Sequence, residues 1–183
     1  MGLVIENLDE SQNDRIELIS QFLLPCFQKY SPDWLPNKKA ALNLIMSTFG
    51  EQRRSRVALG ENGHPIGWIG AITDEDVWEI HPIAVSPDNQ RKAVGKSLVA
   101  DVESLARSSG AVAVWAGTSD ETASTSFSSI DLYKEPGRSF ENIETPEDHP
   151  IQFWLKMGYS IVGVMPDEEG LGKPGIHFAK RVV

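Results

Sequence analysis

"VWEIHPIAVSPDNQRKAVGKSL", residues 77–98, runs an apolar strand pattern into a proline, a polar turn, two adjacent cations and the start of a helix. Trp78 and Ile80 fall on one face of a strand and Glu79 and His81 on the other. Beyond Pro82 the large apolar residues Ile83 and Val85 take positions of the same parity as Glu79 and His81. A two-residue period shifts in this way only where the strand bulges or kinks. A bulge is therefore expected at Pro82, which donates no ladder hydrogen bond, and it would leave backbone groups open to a ligand. The turn then delivers a helix start whose first N–H groups lack intrahelical acceptors and carry the positive end of the helix dipole. With Arg91, Lys92 and Lys96 around it, this start reads as a phosphate or pyrophosphate site.

Outward from this stretch, "LVIENL" at 3–8 reads as a first strand, and Leu18, Ile19, Phe22, Leu23 and Phe27 recur at helical spacing. A second helix carries Ala41, Leu42, Ile45 and Met46 inward and ends at Gly50. "RVALG" and "PIGWIGAIT" are strands joined by a turn at Asn62-Gly63, a strong hairpin signal. The helix after Ala93 aligns Val94, Leu98, Val102, Leu105 and Ala106 in one stripe and stops at Gly110. "AVAVWAG" is a buried strand, residues 118–144 a long Ser- and Thr-rich loop, "HPIQFWLKMGY" a helix after His149, and "SIVGVM" and "GIHFAKRVV" two last strands. The order is strand, two helices, three strands, helix, strand, helix, two strands. It predicts a mixed α/β (α+β) sheet with helices on both faces, in a single domain over 1–183.

The formal charge of −9 argues against nucleic acid or an anionic membrane, whose binding rests on clustered Lys and Arg, and favours a cationic partner. Acidic clusters fall at 74–76, 141–148 and 167–169, all in expected loops. No apolar run reaches the ~18 residues of a membrane span and no signal peptide is apparent, so cytoplasm is the expectation. The one cysteine, Cys26, is expected in the core. No histidine pair has metal-ligand spacing. "GLGKPG" at 170–175 matches a dinucleotide fingerprint literally but opens no helix.

Residues Gln90, Arg91, Lys92, Ala93, Val94 and Gly95 resemble motif A of the GNAT acetyltransferase superfamily, Q/R-x-x-G-x-G/A, with Ala93 where the first glycine is usual. "VWEIHPIAV", "GTSDE", "DLY", "HPIQFWLKMGYSIVGVMP" and "KPGIHFAK" are, in that order, similar to aminoglycoside 6′-N-acetyltransferases with the W-E-L-H-P signature. The similarity runs well over 64–180 and loosely through "SPDWLPNKKAAL" before it. It implies a GNAT-like, mostly antiparallel central sheet with a splayed strand, acetyl-CoA as co-substrate, an aminoglycoside acceptor and a possible homodimer. Acetyl-CoA would lie along Ile83, Ala84 and Val85, with its pyrophosphate on Gln90, Arg91, Lys92, Ala93, Val94, Gly95, Lys96 and Ser97.

Acyl transfer to an amine needs a neutral nucleophile, a stabilised oxyanion and a protonated leaving thiol. Glu79 is the candidate to attract the ammonium and remove its proton, directly or through water, and the N–H of Ile83 the candidate oxyanion donor. For His81 two readings stand, a structural hydrogen-bonder and a proton carrier. Trp154 occupies the position where the family often places a Tyr suspected of protonating the thiolate, and is expected beside the cofactor. Either water protonates the thiolate, another Tyr such as Tyr133 replaces that acid, or the step is unassisted. Trp34 and Asp120 are the positions for substrate binding, a flat apolar surface and a carboxylate for a polyamine sugar. Gly175 replaces an Asp of the family pattern. A polyamine or protein amine as acceptor, or a non-catalytic acyl-CoA-binding module, are the competing readings.

Overall fold

The chain is described by a computed structural model over residues 3–134 and 143–183. Its elements follow the expected order: β1 (Val4–Asn7), α1 (Asn13–Phe27), α2 (Lys38–Met46), β2 (Arg53–Leu59), β3 (Pro65–Ile72), β4 (Val77–Val85), α3 (Val94–Ser109), β5 (Ala113–Ser119), α4 (Pro150–Lys156), β6 (Ser160–Met165) and β7 (Gly175–Arg181). This is a mixed α/β fold of seven strands, mostly antiparallel, and four helices among the described residues. Of the loop expected at 118–144, residues 135–142 lie outside the described residues, with two positions of the acidic stretch 141–148. The rest holds one short 3-10 turn at Ser126–Ser129.

The residues gather into two compact units, one of Met1–Lys29, Leu35–Val114 and Arg181–Val183, the other of Tyr30–Trp34 and Trp115–Lys180. In the first, β1, β2, β3 and β4 pair antiparallel in sequence order. The β2–β3 turn closes as the Asn62-Gly63 pair predicts, with Gly63 at φ +75° and Gly60 N–H donating to the His64 carbonyl at 2.9 Å. Helices cover both faces. A Cβ on Gly67 would meet Val94 and Leu98 of α3, whereas one on Gly70, of opposite parity, would meet Thr48 just past α2.

The helices bury the stripes that make them amphipathic. Ile19, Leu23, Ala41, Ile45, Leu98, Val99 and Val102 are fully buried, with Val57, Trp68 and Ile69 of the sheet between them. Met46, expected inward, is 41% exposed instead, at the last position of α2, which ends there and not at Gly50. Asn37 caps α2 by accepting from Ala40 N–H at 3.0 Å, and Gly110 closes α3 in the left-handed region at φ +95°. Arg56 of β2 grips Asp101 of α3 through two bonds of 2.7 and 2.9 Å, a fork that fixes the helix on the sheet.

In the second unit β6 pairs antiparallel with β7. Its core is aromatic: Trp154 lies 5.0 Å from Tyr159 and 6.3 Å from Phe178, and all three are buried.

Candidate functional site

The bulge lies where the sequence places it. Between the pairs Ala71↔Ile80 and Ile69↔Ile83 the chain advances three residues along β4 and two along β3. The extra residue puts Ile80 and Ile83 on one face, with Ala71 and Ile69, and leaves Glu79 opposite them beside Ile72. The His81–Pro82 peptide within the bulge is cis. Glu79 and His81 are half-buried, with His81 Nδ1 3.6 Å from Glu79 Oε1. Burial, and secondarily the charge of Arg53, holds the His81 imidazole below its ordinary pKa, so it is neutral at pH 7. Beyond the bulge, the Val85 carbonyl accepts from the Cys26 thiol at 3.0 Å and from the Gln90 amide at 3.1 Å. Cys26 is half-buried there and its thiol pKa is pushed up to about 12 by burial, which makes it a hydrogen-bond donor and not a nucleophile.

The turn after β4 forms a cradle of N–H groups. Arg91 and Ala93 sit in the left-handed region at φ +61° and +64°, and α3 begins at Val94. The backbone N–H groups of residues 91–96 donate to no backbone or side-chain acceptor among the described residues. Alternation of left- and right-handed residues turns successive N–H groups toward one concavity, and the free N–H groups of the helix start extend it. Arg91, Lys92 and Lys96 are exposed around it and no ion pair among the described residues engages them. The set fits a pyrophosphate: six unclaimed donors, three cations and no carboxylate among residues 90–97.

In the second unit, two residues assigned from the sequence are buried. Trp154, expected beside a cofactor, is 4% exposed and packs edge-on against Phe153 and Tyr159 and flat against Phe178. Position 154 on a seven-residue helix faces the core, where an indole fills more volume than a phenol. Asp120, expected to receive a substrate cation, is fully buried. Its Oδ1 accepts from the Ser124 N–H and hydroxyl, and its Oδ2 from the Thr125 N–H, the Thr125 hydroxyl and the Ser128 hydroxyl. Five donors fill about four lone-pair sites, so Asp120 orders its own loop.

The neighbouring Glu121, which sequence reasoning passed over, has the open acceptor. Its Oε2 takes the Asp33 N–H at 2.8 Å, while its Oε1 is buried and has no hydrogen-bond partner. "SDE" shows two successive acids after a strand but does not say which of them keeps an open oxygen. Trp34 is half-buried in the Tyr30–Trp34 turn beside Asp33. Tyr133 is exposed and donates to Asp167 at 3.1 Å, a bond that raises its pKa and opposes its acting as an acid. Among the described residues no group of His, Cys, Asp and Glu could hold a metal ion, and no helix is long and apolar enough to cross a membrane.

A bulged strand running into an N–H cradle is an arrangement with which an α/β protein can take a phosphorylated ligand. A profile of the Acetyltransferase (GNAT) family matches residues 16–137, and the chain belongs to that family, whose acetyl donor is acetyl-CoA. An aminoglycoside 6′-N-acetyltransferase solved in complex with coenzyme A has a TM-score of 0.83 and 28% identity, over 98% of this chain and 97% of that one. The aminoglycoside 6′-N-acetyltransferase from Enterococcus faecium gives a TM-score of 0.83 at 27% identity over the same shares of the two chains, 98% and 97%. The ribosomal-protein-S18-alanine N-acetyltransferase from Escherichia coli, at 15% identity, shares the fold, with a TM-score of 0.62 over 99% and 94% of the two chains. In sequence, an uncharacterized N-acetyltransferase of Methanocaldococcus jannaschii is 31% identical over 105 residues, 52% of this chain, and the match spans 41% of that relative's length.

Proposed function

We propose that the chain, acting as one acetyltransferase domain, moves an acetyl group from acetyl-CoA to the 6′-amine of an aminoglycoside. The observation that carries this reading is the end-to-end likeness, at 28 and 27% identity, to two aminoglycoside 6′-N-acetyltransferases. The excess of negative charge suits a polycationic acceptor.

Acetyl-CoA, when bound, supplies an activated thioester carbonyl. The N–H groups of 91–96, with Arg91, Lys92 and Lys96, hold its pyrophosphate, and Gln90 to Ser97 form the turn that presents them. Ile83, Ala84 and Val85 provide the strand edge along which the arm lies. Glu79, half-buried on the face opposite Ile80 and Ile83, attracts the acceptor ammonium and takes its proton. The Ile83 N–H, directly past the bulge, donates to the developing oxyanion. His81, kept neutral by burial, orients Glu79. Trp34 offers an apolar surface to the sugar ring.

The test is release of free CoA from acetyl-CoA by the purified protein with kanamycin. Glu79→Gln should lower kcat at least tenfold with little change in the binding of CoA. No CoA release with any aminoglycoside bearing a 6′-amine sinks the assignment, and release with propylamine in place of kanamycin moves it to another amine.

A further inference from the structure

The second unit carries a group of carboxylates that the transfer chemistry above does not use. Glu121 is 6% exposed, and its Oε1 is buried without a hydrogen-bond partner. Glu169 is near enough to Glu121 that, after burial, the Glu121 charge is the largest influence raising its pKa, followed by that of Glu168. Glu168 is present because residue 175 is glycine. A Cβ on Gly175 would stand 1.2 Å from Glu168 Oε2, so the carboxylate occupies the volume of the absent side chain, with His177 Nε2 at 3.4 Å.

Among the described residues, the opposing charge that acts on Glu169 is that of Lys173. Its ammonium also lies 3.2 Å from Asp33 Oδ2. The Glu169 N–H donates to the Lys173 carbonyl at 3.1 Å, a backbone turn that keeps the two residues together. One ammonium against Asp33, Glu121, Glu168 and Glu169 leaves the group short of positive charge, and a buried carboxylate oxygen without a donor is costly. An added organic ammonium satisfies both deficits.

We propose that Glu121 and Glu169 form a receptor for an ammonium group of a polycationic amine, with Lys173 as the resident cation such a ligand displaces. This deepens the reading of the chain as an acetyltransferase for cationic amines and rests on it for the identity of the ligand as an acceptor. The receptor selects amines with at least two positive charges over monoamines, because Asp33, Glu121, Glu168 and Glu169 face one resident ammonium, a shortfall that a single added charge leaves unfilled.

The test is calorimetric titration of the full chain with spermine at low ionic strength, which reads binding alone and is independent of whether acetyl transfer occurs. Glu121→Gln and Glu169→Gln should each weaken spermine at least fivefold, while Glu61→Gln, an exposed acid of the β2–β3 turn, should change it less than twofold. Lys173→Met should tighten it at least threefold, a gain that misfolding cannot produce. Equal weakening by Glu61→Gln and Glu169→Gln, or no gain with Lys173→Met, overturns the proposal. If all these shifts occur but kanamycin releases no CoA, the receptor stands and the aminoglycoside assignment falls.

Discussion

A Cβ on Gly70 would stand 2.6 Å from the carbonyl oxygen of His81 and 2.5 Å from Thr48 Cγ2. The first of these neighbours is backbone within the bulge and cannot swing aside. Gly70→Ala is therefore expected to push β4 off β3 where its extra residue sits. Overpacking of this kind costs about 1–3 kcal/mol. Urea denaturation should show that loss, and kcat should fall more than KM rises, since the displaced segment lies between Glu79 and Ile83.

Ala93 precedes α3 at φ +64°, a conformation that glycine adopts freely and alanine does not. Holding one L-residue there costs about 1–2 kcal/mol, offset in part by the extra chain entropy a glycine loses on folding. Ala93→Gly should raise stability by up to about 1 kcal/mol and leave CoA affinity unchanged or tighter. Ala93→Val, which adds a branched Cβ at the same φ, should destabilise and weaken CoA. Urea midpoints and CoA titrations on the two variants separate relief of strain from loss of the cradle.

Element order, the bulge at Pro82, the hairpin at Asn62-Gly63 and the N–H cradle were all legible because each rests on local chemistry. A parity change, a turn dipeptide and a helix start leave their marks within a few residues. The second unit was less legible. Whether Asp120 or Glu121 turns inward depends on hydroxyls at 124, 125 and 128 that reach back along the loop, and nothing in "SDE" ranks the two. Phe178 of β7 and Tyr159, just before β6, lie twenty-four and five residues from Trp154, so its burial could not be read from helical periodicity. Gly175 looked like the loss of a carboxylate, whereas it makes the room that Glu168 fills.

Asp120 is expected to act on stability before it acts on substrate. Burial by itself would raise its pKa, but the bonds from Ser128, Thr125 and Ser124 outweigh that and hold it below the ordinary carboxylate value. A depressed carboxylate contributes stability in full above its unfolded pKa, and loses that contribution as pH falls through the lower folded value. Asp120→Asn keeps one acceptor oxygen and forfeits the charge on five donors, which should cost about 2 kcal/mol or more at neutral pH. The variant's urea midpoint should also change less than that of the parent below about pH 4, and a variant equal to the parent across that range contradicts the structural role.

His149 gives the opposite end of the same helix-and-loop region a pH dependence of its own. It caps α4, its Nδ1 accepting from the Ile151 N–H at 3.3 Å, and it is 1% exposed with its ring edge-on to Tyr30 at 4.7 Å. Protonation would turn that acceptor into a donor facing a donor. Burial lowers its pKa and prevails over the charges of Asp120 and Asp148, which pull the other way. For a histidine with a depressed folded pKa the unfolded chain takes up the proton first. Stability is therefore full above the unfolded value of about 6.5 and declines as pH falls from there to the folded value. His81, depressed by burial and by Arg53, contributes in the same direction. His149→Asn retains an oxygen able to cap α4 but does not titrate in this range. Its unfolding free energy, measured in urea at successive pH values, should show a shallower decline below that pH than the parent, with the His81 share remaining. A slope identical to the parent's would remove His149 from the acid response.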